Sequence, residues 1–90
     1  GLLVAAFSPM LVRISMYDLD TMRLAVEARR FIRDFIDCII LATAAIHADI
    51  LLTEDHILLR PPDQLLRRVQ AMNPGLAIMS LRDYAEKYGL

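Results

Sequence analysis

At 90 residues the chain holds one domain at most, since compact domains usually run to roughly 100–150 residues. Ten Lys and Arg against eleven Asp and Glu give a formal charge of −1 and a pI near 6.1, which excludes a protein that grips nucleic acid by its own electrostatics alone. If the chain acts on phosphates, a bound cation has to supply the positive charge.

The apolar fraction is 57% and the mean hydropathy +0.43, high for a small protein with a large surface-to-volume ratio. Some of that apolar surface is expected to meet a partner subunit or another part of the same domain. The single cysteine, Cys38, excludes a disulfide framework and a thiolate metal site, and a reducing cytoplasm fits best. The longest apolar run, residues 38–46, falls well short of the roughly 20 residues that span a bilayer, so no membrane partner is expected. Residues 1–7 are apolar but lack the basic flank and cleavage site of a secretory signal. A first residue of Gly rather than Met points to a chain cut from a longer one.

Residues 1–10 read as a helix end or a strand, broken at Ser8-Pro9. Residues 11–16 alternate in twos and predict a strand with Arg13 and Ser15 on its polar face. Asp18 or Asp20 then offers an N-cap for an amphipathic helix over residues 21–31. A second helix is predicted from Asp34 to about Ala48, with Asp34 as N-cap and Asp37 at the third helical position, where a capping-box acid sits. From Cys38 to Ile46 this helix has no polar face, so it is buried on all sides or packed against a partner.

A short apolar strand follows at residues 50–52, of the kind buried in a parallel sheet, and Thr53-Glu54-Asp55-His56 ends it. Pro61-Pro62 opens a helix to about Met72, Asn73-Pro74-Gly75 is a turn, and residues 77–79 form another strand. Ser80 caps a last helix over residues 81–88 that stops at Gly89. This order predicts an α/β architecture with a mainly parallel sheet.

Two acids stand out. Asp37, at the start of an apolar helix, reads either as a metal ligand at a cleft floor or as a capping acid favoured by the helix dipole. Asp55, just past a strand, lies where open α/β sheets gather ligands, or it caps the next segment. Mg²⁺ takes one or two carboxylates, keeps several waters and accepts phosphate oxygens. His47 suits a helix C-terminus, and His56 sits beside the acidic run. Arg29, Arg30, Arg33, Arg67 and Arg68 read as surface charge, and Arg60 is the basic residue best placed to meet a nucleic-acid backbone. HExxH, CxxC, GxSxG, GxGxxG and P-loop spacings are absent.

Taken together, Phe35-Ile36-Asp37-Cys38-Ile39-Ile40-Leu41-Ala42-Thr43-Ala44 and Ala48-Asp49-Ile50-Leu51-Leu52-Thr53-Glu54-Asp55 resemble the second half of a PIN domain. In that family a D-x-x-I/L-x-A-T/A-A helix leads into a short strand and a T-x-D turn. The resemblance covers residues 11–90 in order of elements, with its specific part between Asp37 and Asp55. It implies a three-layer α/β/α fold with the N-terminal strand and helices missing, so that the chain is a single, partial domain. It also implies that Asp37 and Asp55 ligate Mg²⁺ or Mn²⁺, with Thr53 shaping the turn or contacting bound water or phosphate, and with His56 and Arg60 near the RNA. The implied activity is endonucleolytic hydrolysis of RNA, often as the toxin of a toxin–antitoxin pair and often as a homodimer. Nothing before Asp37 matches the family's first acids, so this chain is expected to hold an incomplete site. The alternative is a non-catalytic piece of the same fold that serves dimerisation or protein interaction.

Overall fold

The structure is a computed structural model that describes residues 4–5 and 18–89. In chain order the elements are β1 (Val4–Ala5), α1 (Leu19–Ala28), α2 (Phe35–His47), β2 (Ile50–Leu52), α3 (His56–Leu59), α4 (Asp63–Met72), β3 (Ala77–Met79) and α5 (Leu81–Tyr88). The strands form one parallel sheet in the order β1-β2-β3, with Val4 opposite Ile50 and Ile50 opposite Ala77. The α/β expectation therefore holds. The strand expected over residues 11–16 lies outside the described residues.

Helix α2 organises the core. Every residue from Cys38 to Ala45 is buried, as a helix without a polar face requires. Leu24, Ala25 and Ala28 of α1 and Leu65 and Val69 of α4 join it, as do Leu51 of β2 and Leu58 of α3. The one buried polar side chain within that run, Thr43, donates its hydroxyl to the Ile39 carbonyl at 2.7 Å, so its burial leaves no orphan donor. Only Ala48 and Asp49 separate α2 from β2. So short a link reverses the chain, and the N-terminus of α2 comes to lie at the carboxyl end of β2.

Caps set the boundaries. Asp18, not Asp20, caps α1, its carboxylate accepting from the amides of Asp20 and Thr21 and from the Thr21 hydroxyl at 2.8 Å. Helix α1 ends at Ala28, three residues sooner than its periodicity predicts. The amides of Arg30 and Phe31 turn to the carbonyls three residues back, Glu27 and Ala28, and tighten the last turn. Pro61 and Pro62 precede α4 rather than sitting inside it, with Pro62 at the N-cap. The Asn73 side chain donates to the Ala48 carbonyl at 2.7 Å, which ties the turn before β3 to the turn before β2. Gly89 closes α5 at φ +73°, a left-handed geometry that suits glycine. Among the described residues, no helix is long and apolar enough to cross a membrane.

His47 ends α2 and its Nε2 lies 2.5 Å from Asp18 Oδ2. This contact, with the bond from Thr21, holds the Asp18 carboxyl below its ordinary pKa. A carboxyl lowered by folding contributes stability that is present above its unfolded pKa and lost as pH falls through its folded one. Urea melts should therefore show a loss of stability below the ordinary carboxylate range, and Asp18→Asn should flatten that acid limb. In the core, Leu51→Ala, at a residue with 0% exposure in the central strand, should cost about 2–5 kcal/mol in the same assay.

Candidate functional site

At the carboxyl end of β2 the two acids lie near enough for the charge of Asp55 to act on Asp37. Thr53 leaves the strand with its amide bonded to the Met79 carbonyl at 3.1 Å, so β2 and β3 stay paired up to the turn. Its hydroxyl accepts the Asp55 amide at 3.1 Å. Asp55 is the N-cap of α3: Oδ1 accepts from the amides of Ile57 at 2.8 Å and Leu58 at 3.3 Å. Those bonds occupy one carboxylate oxygen, and among the described residues no donor meets Oδ2. Between them, Glu54 sends Oε1 to the Leu81 amide at 2.8 Å, which fastens the turn to the N-terminus of α5.

Asp37 comes from the other direction, in the first turn of α2. The capping-box geometry expected for it does not form: Asp34 accepts the Ile36 amide at 2.8 Å, and among the described residues no donor meets the Asp37 carboxylate. A helix N-terminus ordinarily favours a carboxylate, yet the Asp37 carboxyl is pushed above its ordinary pKa. Burial is the largest cause, and the charges of Asp55 and Asp34 add to it. A half-buried, unpartnered acid pressed by a second carboxylate is the arrangement in which functional groups are found.

Asp37 lines a cleft of about 360 Å³ together with Phe31, Ile32, Arg33, Asp34 and Ile57. His56 and Arg60, expected near nucleic acid, stand on α3 and at its C-cap, both exposed, and neither lines this cleft. His47 is engaged with Asp18 at the opposite end of α2. Cys38 is buried behind the site; burial pushes its thiol up, and Sγ points to the Ile32 carbonyl at 3.6 Å, so it is a core residue rather than a thiolate nucleophile. Arg33, Phe31 and Ile57 were not legible as site residues, because the segments that carry them meet only in the fold.

The donor set suits a hard cation. A hydrated Mg²⁺ takes one or two carboxylates, and Asp37 and Asp55 are two carboxylates whose charges act on each other. Among the described residues, no group of three or more His, Cys, Asp or Glu is placed to hold a metal, so the fit is to that minimum and not to an all-protein cage. Comparison of the chain with protein-family models, curated proteins and solved structures finds no match.

The raised Asp37 pKa has a defined sign. A carboxyl raised by folding opposes stability at neutral pH, and the opposition vanishes as pH falls below its unfolded pKa. Asp37→Asn should raise the Tm at pH 7 by an amount on the order of a few °C. That gain should shrink on acidification, as read by thermal melts between pH 7 and pH 4.

Proposed function

We propose that this chain carries part of a PIN-like, metal-dependent endoribonuclease site, within a three-layer α/β/α fold, in which Asp37 and Asp55 share a Mg²⁺ or Mn²⁺ ion. The observation that carries the reading is the Asp37 carboxylate itself. It is half-buried, has no hydrogen-bond partner among the described residues, and is raised in pKa by burial and by Asp55. The motif from Asp37 to the Thr53-Glu54-Asp55 turn supports the family, and the parallel sheet with α2 reversed onto β2 supports the placement.

The chain's own residues divide the work. Asp37 and Oδ2 of Asp55 would hold the cation, and Thr53 and Glu54 fix the turn that aims Asp55. When bound, a divalent ion supplies neutralisation of the scissile phosphate and a more acidic attacking water. Phe31, Ile32 and Ile57 set an apolar wall beside Asp37 in the adjoining cleft. The same reading carries a cytoplasmic location, a homodimer and an antitoxin as protein partner.

A second reading, a non-catalytic interaction module on the same fold, is favoured by Leu19, Val26 and Leu81, which stand 63%, 62% and 61% exposed. Residues of this type left uncovered mark contact surfaces when they gather in a patch.

Electron paramagnetic resonance of Mn²⁺ separates the two. The metal-site reading expects the free-ion signal to fall as protein is added, and Asp37→Asn or Asp55→Asn to weaken binding by more than about tenfold, a scale that even outer-shell partners of a ligand reach. The site is incomplete in this chain by the same reading, so any chelator-sensitive cleavage of single-stranded RNA that it retains should disappear in Asp37→Asn. Cleavage that survives Asp37→Asn, or Mn²⁺ binding indifferent to both acids, would overturn it in favour of the interaction module.

A further inference from the structure

The outward face of α1 carries a pattern that the packing of this chain does not use. The helix buries Thr21, Leu24, Ala25 and Ala28. On its other side Leu19 and Val26 stand 63% and 62% exposed, with half-buried Met22 between them. Steps of three and four residues are the spacing of an apolar seam between two helices. Along one flank of that seam run Asp20, Arg23, Glu27 and Arg30, the last in the tightened turn that continues the helix. Their charges alternate: minus, plus, minus, plus. Such a row also suits ion pairs within one helix, but none forms here. Glu27 turns to Arg68 of α4 at 3.0 Å, and Asp20, Arg23 and Arg30 make no ion pair among the described residues. Exposed charges lose little by staying in water, so it is their order, not their lack of partners, that is informative.

We infer that the outward face of α1 pairs antiparallel, about a two-fold axis, with α1 of a second copy of this chain. Read backwards, the row is plus, minus, plus, minus, so a reversed copy presents the opposite charge at every position. One register serves all four charges. With the axis level with residue 25, Asp20 meets the partner's Arg30 and Arg23 meets the partner's Glu27, since both pairs are centred on that residue. The same axis staggers the apolar side chains. Counted from residue 25, Leu19, Met22 and Val26 lie six, three and one residues away, and the second copy's set falls at the same distances on the opposite sides. The two sets interleave instead of colliding. An in-register parallel pairing would set like charge against like along the whole row, which is destabilising. A contact of this kind is isologous, one patch used by both copies. One ten-residue helix from each copy is a small interface beside the roughly 1,200–2,000 Å² of stable complexes. Association is therefore weak, with a Kd on the order of micromolar to tens of micromolar. This pairing does not depend on the cation reading of Asp37 and Asp55; it gives Leu19 and Val26 an occupant.

The test is sedimentation velocity of the full chain across the micromolar range, with thermal melts of each variant at the dilute end as the check on folding. The expected result is a monomer–dimer equilibrium that weakens as salt rises and is lost in Val26→Glu. Asp20→Arg and Arg30→Asp should each weaken self-association about tenfold, because across a two-fold axis one substitution sets two like pairs together. An equal mixture of these two variants should associate as the unaltered chain does, since each then meets the opposite charge in the other. A chain that stays monomeric throughout would overturn the pairing. A dimer that Val26→Glu and Asp20→Arg leave unchanged would overturn it too, by placing the contact elsewhere. Weakening in both charge variants without recovery in the mixture would overturn the antiparallel register. Mn²⁺ binding by Val26→Glu, read by electron paramagnetic resonance, reports the acid pair separately, so loss of the dimer and loss of the metal site are distinguishable.

Discussion

Eight consecutive residues of α2, Cys38 to Ala45, are buried, and a helix with no wet face has to be coated on every side. Helices α1, α3 and α4 and the central strand provide that coat. Apart from Thr43, whose hydroxyl bonds within the helix, the polar residues of α2 stand at or near its ends. At the C-terminal end His47 reaches the cap of α1; at the N-terminal end Asp37 stands half in the core and half in a cleft. The position of the acid follows from the burial of the helix behind it, and the two-residue link to β2 then fixes which end of the sheet it faces.

That constraint explains why Asp37 is uncomfortable where it is. Moving it outward would drag Cys38 and Ile39 out of the core; removing its charge would relieve the fold. Asp55 is held equally firmly, by the amides of α3 and by the Thr53 hydroxyl. Glu54 adds a tether from the same turn to α5. Two carboxylates are thus brought together by elements that are each stable for other reasons, which is how a rigid scaffold keeps repelling charges close. The proposed cation is the component that would turn this repulsion into binding energy.

Much of the fold was legible because its signals are local. Residues 50–52, 77–79 and 81–88 appear as predicted, down to the Ser80 cap and the Gly89 stop, since apolar runs between turn residues and caps need no knowledge of the rest of the chain. The four-residue helix α3 was missed because His56-Ile57-Leu58-Leu59 is too short to show a period. Proline placed the start of α4 two residues early, because Pro61-Pro62 suits the run-in as well as the first turn. In the candidate site, the residue types at Asp37, Thr53 and Asp55 could be read, but their meeting could not. It depends on α2 folding back on β2. Arg33, Phe31 and Ile57 are further still from a linear pattern, since the loop after α1 and the start of α3 converge only across the N-terminus of α2.

Burial first, and the charge of Asp55 second, disfavour the Asp37 carboxylate, and the proposed cation would offset both. A carbon-13 carboxyl NMR titration of Asp37 tests this most directly, with and without Mg²⁺ and in the Asp55→Asn variant. The account predicts a pKa above the ordinary carboxylate range, brought down by Asp55→Asn and brought down further by Mg²⁺ in the unaltered chain. An Asp37 that titrates in the ordinary range, indifferent to both changes, would contradict it.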